Sequence, residues 1–480
     1  MDERLISAAE ATLRRAGLLS EKATVLVALS GGADSVALLL TMQKLRQTTG
    51  IKVYAAHVEH GLRGEDGLED AAFCEALCKR LKVPFTCDHA RLPGSMDDAG
   101  VEAAAREARY TLLLARAREC RADALLLAHH QDDQAETVLQ HLLRGSGARG
   151  VSGMDEITQR DGVTILRPFL SLSKQALVDA LDGEAYRTDE SNLAPVCQRN
   201  RLRLTVMPLL TRENPAAITH IAQSAVLCRL DETYLMQQAE QLLHTALIDK
   251  PPFFCLHRVA LQSAHPAVAL RTLRRFAELG LERCGALTDE RSLSAEDSLR
   301  LLALVSAPEN TVLNLPGALH AMATERYIHL TRMEGDEPLV DRPLHGPVKL
   351  NAEATPIAFG DIAFSAMPHN PGGIIPDGKT TVVLTERQLQ KAVLRTPLPG
   401  DAIRPFGAGG SKLLRRYLTD QKLDPPFRRH LPVVAIGNEV LWAVGVGAAE
   451  STRLQREPSI LLTLQGTLPW YHSMHQRSTL

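Results

Sequence analysis

The chain has no Cys-x-x-Cys pair among its eight cysteines, no internal repeat and no low-complexity tract. It also lacks any apolar run of about 18 residues, so nothing is expected to span a membrane. Cys74, Cys78, Cys87, Cys120, Cys197, Cys228, Cys255 and Cys284 lie mostly within apolar stretches. That placement predicts reduced thiols, not disulfides or a cysteine metal centre. The first 17 residues mix charges with alanine and leucine, which predicts an amphipathic helix and not a signal peptide. A soluble cytoplasmic protein is the resulting expectation. No charge of one sign prevails, with Lys+Arg 54 against Asp+Glu 56. A balanced total does not exclude a nucleic-acid partner, because clustering matters more than the sum. The Walker pattern Gly-x-x-x-x-Gly-Lys-[Ser/Thr] is absent too, which argues against γ-phosphate transfer of that kind.

What is present starts at Ser30. Residues 30–35 read Ser30-Gly31-Gly32-Ala33-Asp34-Ser35, directly after the apolar run 24–29. Two adjacent glycines let the backbone turn with φ > 0 and bring its N–H groups close to a ligand. A helix opening near Asp34 adds its positive dipole end. The product is an anion cradle without a lysine. It resembles the pyrophosphatase-type loop of enzymes that split ATP between the α and β phosphates.

The first 210 or so residues alternate strand and helix patterns. Strands are predicted over 24–29, 52–57, 85–89, 124–129 and 164–169. Helices are predicted over 34–46, 66–81, 101–119 and 132–143. Such alternation means a Rossmann-like α/β fold, a parallel sheet covered by helices, with ligands beyond the carboxyl ends of the strands. From Asn214 the apolar spacing becomes helical, with a second helix over 267–279 and helices to about Val305. Strand-like segments follow at 311–315, 327–330, 348–350 and 380–384. Residues 367–379, rich in proline and glycine, predict an exposed loop. Three domains are expected: an ATP-binding catalytic domain over 1–213, a mainly helical domain over 214–335 and a small α+β domain over 336–480.

Four clusters in the first domain carry polar chemistry. His57-Val-Glu-His60-Gly-Leu-Arg63 ends the second strand and suits a supporting or base-stacking role. Glu102, Arg106 and Arg109 recur at i, i+4 and i+7 on one helical face. An ordinary helical pair accounts for Glu102 and Arg106 but not for Arg109, which suits phosphate or carboxylate. His129-His130-Gln-Asp132-Asp133-Gln-Ala-Glu136 carries more carboxylate than helix capping needs, enough for Mg²⁺ on ATP or for an amine substrate. Finally, Asp189-Glu-Ser191-Asn192 precedes Arg199, Arg201 and Arg203, a local positive site suited to phosphate.

Ser-Gly-Gly-x-Asp-Ser, His-x-x-His-Gly-Leu-Arg, Glu-x-x-Ala-Arg-x-x-Arg-Tyr, Asp-Asp-Gln-x-Glu-Thr, Arg-Gly-Ser-Gly and Arg-Asn-x-x-Arg occur here in one order. Together they resemble the tRNA(Ile)-lysidine synthetase family over roughly residues 20–215. The likeness resumes at Arg404-Pro-Phe-Gly, Lys412-Leu-Leu-Arg415-Arg416-Tyr, Pro425-Pro-Phe-Arg428-Arg429 and Leu441-Trp-Ala-Val-Gly-Val-Gly. Glu59 departs from the Asn or Asp more usual in that family.

The resemblance implies an enzyme that adenylylates O2 of the wobble cytidine in tRNA(Ile) with a CAU anticodon and releases pyrophosphate. Free L-lysine then displaces AMP. By that analogy Ser30, Gly31, Gly32, Ala33, Asp34 and Ser35 hold ATP, and Asp34 holds Mg²⁺. Asp133 and Glu136 hold the lysine ammonium or the metal, and Arg109 steadies a phosphate or the activated base. A side-chain amine of pKa about 10.4 must lose a proton before it attacks, and His129 is the candidate acceptor. The analogy also allows a homodimer. For tRNA, the candidates are Arg199, Arg201 and Arg203, then Arg271, Arg274 and Arg275, then Lys412, Arg415, Arg416, Arg428 and Arg429. Between Arg404 and Arg429 seven basic residues face only Asp420 and Asp424. Patches of this kind read phosphate backbone. The rival readings are a tRNA thiolase or amidotransferase-type ligase on the same loop, and a non-catalytic ATP- and RNA-binding protein. The missing Cys-x-x-Cys pair and the lack of a second amidase nucleophile weigh against the first.

Overall fold

A computed structural model describes residues 2–59, 65–90, 98–187, 198–250, 253–284, 293–332, 347–351, 356–360, 362–369, 374–453, 458–466 and 468. The chain divides into two compact units, Met1–Tyr234 and Leu235–Leu480.

In the first unit, α1 (Glu3–Arg15) opens with Asp2 as its N-cap and buries Leu5, Ala9 and Leu13 along one stripe. The central sheet contains β1 (Thr24–Ala28), β2 (Lys52–Glu59), β3 (Phe85–His89), β4 (Ala124–Leu126), β5 (Ile157–Arg160) and β6 (Val163–Leu166), in the order β3-β2-β1-β4-β6-β5. All neighbours are parallel except the β5–β6 hairpin. Val25 and Val27 pack on one side of β1 with residues of α1 and of the helix Ala33–Thr49, while Leu26 faces the other side with Leu113 and Leu114. Burial on both faces explains why β1 reads as a continuous apolar run. The helices are α2 (Ala33–Thr49), α3 (Glu65–Leu81), α4 (Asp98–Glu119) and α5 (Gln131–Leu143). Strand order reverses between β1 and β4, so a crevice opens there at the carboxyl ends of the strands.

The second unit contains more strand than its sequence predicts. Leu247–Lys250, Phe253–His257, Val312–Leu315, Leu319–Ala323 and Tyr327–Arg332 form a five-stranded sheet, packed with the helix Pro266–Arg283. Two of these strands lie inside the stretch expected to be helical, and each is short enough to pass for the end of a helix. Seven- and four-stranded sheets follow, around a core with Trp442 and Phe364 in edge contact. Cys255 and Tyr327 belong to that same core, so the expected division at 335/336 falls inside a continuous apolar cluster. The expected loop 367–379 begins in the strand Ile362–Pro368, and residues 370–373 lie outside the described residues.

All seven described cysteines carry free thiols, and no described helix is long and apolar enough to cross a membrane.

Candidate active site

β1 stops at Ala28, and the chain turns through Leu29, Ser30, Gly31 and Gly32 into α2. Gly31 has φ +88°, and a Cβ there would meet Cys74 Sγ at 3.3 Å and Arg187 Cγ at 3.6 Å. Backbone conformation and close packing both demand glycine at this point. The Arg187 N–H donates to the Gly31 carbonyl at 2.9 Å. The Ser30 N–H donates to Ser35 Oγ at 3.1 Å, and Ser35 Oγ donates to the Gly32 carbonyl at 3.0 Å. His57, from the end of β2, lies 2.8 Å through Nδ1 from the Leu29 carbonyl and braces the entry to the turn. Burial pushes its basicity down, so the ring is neutral and Nδ1–H is the donor. Gly32 caps α2 with no side-chain hydrogen bond, which leaves the first amides of a 17-residue helix without a side-chain cap.

Across the crevice, two adjacent histidines follow β4 and meet opposite environments. His130 is 2% exposed. Its Nε2 lies 3.6 Å from Asp34 Oδ2 and 3.3 Å from Asp133 Oδ2, and its Nδ1 lies 3.4 Å from Asp132 Oδ2. Burial alone would lower its pKa. The nearby carboxylates of Asp132, Asp34 and Asp133 outweigh burial and raise it to about 10. His129 has its Nδ1 buried without a hydrogen-bond partner among the described residues, and burial pushes its pKa down to about 3. Burial thus disfavours the charged form of His129, the candidate proton acceptor. His130 is the member of the pair that reaches Asp34. The sequence held the signal, two adjacent histidines between a strand and a helix, but nothing in their order says which of them faces the loop.

Asp133 and Glu136 stand one turn apart on α5. Arg199 lies 2.8 Å from Asp133 and 3.0 Å from Glu136. Arg203 lies 2.6 Å from Glu136 and 3.1 Å from Asp133. The arginines come from the helix Gln198–Arg201 and the π-helical turn Leu202–Val206, where four-residue spacing puts both on one face. Burial would raise the pKa of Asp133, but the charges of His130 and Arg199 outweigh it and hold the carboxyl well below its usual range. Arg199 and Arg203, expected on RNA phosphate, are thus turned inward onto carboxylates. Arg201 is exposed, and Arg109 is exposed on α4 with its charge bearing on His57. Arg106 lies over the Tyr110 ring at 5.6 Å. His60, Arg63, Asp189, Ser191 and Asn192 lie outside the described residues, as does the side chain of Glu102.

Arg187 went unnoticed in the sequence. Its guanidinium lies 2.8 Å from Asp70 and 2.9 Å from Glu69, which ties the chain before residue 188 to α3 and the glycine turn.

The fit of a divalent cation turns on Asp34. Its Oδ1 is buried and has no hydrogen-bond partner among the described residues. A hard carboxylate oxygen at the mouth of an anion cradle suits Mg²⁺. Among the described residues no group of three or more His, Cys, Asp or Glu side chains could hold a metal by itself, so phosphate and water would complete the shell.

In the second unit, Arg271, Arg274 and Arg275 are half-buried on the helix Pro266–Arg283. Arg275 is engaged by Glu282 at 3.1 Å, Glu278 at 3.5 Å and Glu240 at 3.7 Å. Lys412 pairs with Asp420 at 2.8 Å, and Arg428 Nε donates to the Leu423 carbonyl at 2.7 Å. Arg415, Arg416 and Arg429 are exposed.

Residues 2–210 match the PP-loop domain family, and residues 392–463 match the TilS substrate C-terminal domain. The fold and the cradle therefore define a PP-loop enzyme, a class that uses ATP. A tRNA(Ile)-lysidine synthase of Geobacter sulfurreducens is 31% identical over 444 residues, 90% of this chain and 90% of that protein. The same enzyme of Parabacteroides distasonis is 32% identical over 447 residues, 89% and 92% of the two chains. That of Dehalococcoides mccartyi is 28% identical over 466 residues, 94% and 97%. The chain belongs to the tRNA(Ile)-lysidine synthase family.

Proposed function

We propose that this chain forms lysidine at the wobble cytidine of tRNA(Ile) with a CAU anticodon, in the cytoplasm, from ATP and free L-lysine. The cytidine O2 attacks the α-phosphorus and the bond to the β-phosphate breaks, releasing pyrophosphate. The lysine ε-nitrogen then bonds to C2, the C2–O2 bond breaks, AMP leaves and the nitrogen gives up a proton.

The observation that carries this reading is the convergence of an uncapped helix start, a Gly-Gly turn and the Asp34–His130 contact at one crevice. The α2 amides and Ser30 to Ser35 bind the phosphates without supplying a proton or a nucleophile, as departure of pyrophosphate requires. Mg²⁺ bound through Asp34 would offset phosphate charge. His130, already protonated, orients the Asp34 carboxylate and takes up no proton of its own. Asp133 and Glu136 are the carboxylates for an ammonium group, and lysine competes for them with Arg199 and Arg203. Arg109 steadies a phosphate or the activated base. Arg415, Arg416 and Arg429 offer exposed cations to the tRNA backbone.

The test is mass analysis of nucleosides after incubation of the protein with tRNA(Ile), ATP and lysine, with pyrophosphate release followed in parallel. Lysine-adducted cytidine with tRNA-dependent pyrophosphate release is expected. Release without tRNA, or sulfur in place of lysine on the base, would overturn the reading.

A further inference from the structure

One feature of the second unit is not explained by phosphate contact. The short strands Ala402–Ile403 and Lys412–Leu413 pair antiparallel, and residues 404–411 form the tip of that hairpin. The tip carries Phe406, which is 60% exposed. It is also open: nothing lies within 4 Å of where a Cβ would sit on Gly407, Gly409 or Gly410. An exposed phenylalanine on an open tip gains nothing from the core.

Yet the backbone beneath the ring is fixed. The Phe406 N–H donates to the Ala448 carbonyl at 3.2 Å, and Pro405 bridges Ala449. The Gly407 N–H donates to Glu450 Oε2 at 2.6 Å, and the Glu450 N–H donates to the Arg404 carbonyl at 2.8 Å. Arg453, itself 3.4 Å from Glu450, lies over the ring at 5.8 Å. The ring is thus presented on a clamped support. The hairpin and the helix that follows it carry Arg404, Lys412, Arg415 and Arg416; Lys412 is paired with Asp420 at 2.8 Å, and residues 404–416 themselves contain no Asp or Glu. A firmly held aromatic ring on a segment with the exposed cations Arg404, Arg415 and Arg416 is the chemistry that binds an unpaired nucleotide, with the base stacked on the ring and its phosphates on the cations. Double-stranded RNA offers no free base face to such a ring.

We propose that Phe406 is a stacking platform for an unpaired base of the tRNA and that Arg404 and Arg453 hold the flanking backbone. The inference rests on the reading of the C-terminal unit as an RNA-binding surface, and it adds that this surface distinguishes single-stranded from paired RNA.

The test measures binding of full-length protein to tRNA(Ile) transcript across a salt series, with F406L, F406W and the double variant R415A/R416A. Melting temperatures check that each variant is folded. Stacking predicts that F406L raises Kd about tenfold at every salt concentration, in a line parallel to the wild type, and that F406W retains wild-type affinity. A blunt-ended RNA duplex, used as a second probe, should bind F406L and wild type equally. The inference is overturned if F406L binds tRNA like the wild type, if it flattens the salt slope as loss of a phosphate contact does, or if the duplex shows the same penalty. R415A/R416A separates the two levels. If the arginine pair matters and F406L does not, only the stacking fails. If neither matters, the RNA-binding reading of this unit fails as well.

Discussion

Two groups of arginines, one in each unit, look alike in sequence and differ in structure. Arg199 and Arg203 cross the Asp133–Glu136 pair, with Glu136 only 2% exposed. Arg415 and Arg416 stand exposed at the start of a helix, and neither is among the ion pairs found in the described residues. The first group neutralises acid inside the fold, whereas the second presents charge outward. An ion pair in the interior is weak proof of stability, but removing one partner strands a buried charge. A cation on the surface adds little to stability and is felt chiefly by a polyanion.

The sharpest test of the inner region is its most isolated oxygen. Asp34→Ala is expected to cut tRNA-dependent pyrophosphate release by about a thousandfold or more while leaving the circular dichroism spectrum unchanged, as loss of a group that supports transition-state charge would. Near-normal release would show that the crevice between β1 and β4 is not where ATP is split. Next in size, Glu136→Ala should lower unfolding free energy by about 3 kcal/mol, because two partly buried guanidinium groups lose a buried partner. Denaturant titration reads this, and a change within error would mean that the arginines are as solvated as the outer pair.

The outer pair should respond in the opposite way. Arg415→Ala with Arg416→Ala should leave stability untouched and weaken tRNA binding. Each lost phosphate contact should reduce the slope of log affinity against log salt by about 0.9. An unchanged slope would erase the contrast between the two groups.

The smallest effect concerns His129. Its folded pKa of about 3 lies below the reference 6.5, so below pH 6.5 the unfolded chain binds a proton that the folded one refuses. Stability from this group is complete above pH 6.5 and declines as pH falls toward 3. His129→Asn should therefore flatten that part of the stability profile. A profile as steep as the wild type's would mean that the imidazole is not shielded.

What could be read from the sequence follows from how local each signal is. The strand into Gly31-Gly32 and the helix after it are fixed by a few neighbouring residues, and α2 starts within one residue of the expected position. Phe85–His89 agrees with its predicted span. By contrast, the strand Phe253–His257 finds its outer partner at Tyr327, Ile328 and His329, some 70 positions on, and no local pattern carries that pairing. The same holds for the site. Carboxylates at 133 and 136 were legible as an unusual cluster, but their occupation by arginines some 65 positions later was not. Nor could the sequence decide between His129 and His130, because that choice depends on which side of the crevice each ring enters.

The bond from Arg187 to Gly31 bears on how this enzyme can be dissected. The glycine turn is encoded near the start of the chain, yet its carbonyl is held by a residue more than 150 positions on, itself anchored to Glu69 and Asp70. A fragment ending just after β6 would keep every strand of the first sheet and lose this stitch, along with both arginines that balance Asp133 and Glu136. The smallest piece able to grip a nucleotide therefore ends beyond Arg203, and loop grafts that copy only the glycine-containing hexapeptide would lack the strut that sets its curvature.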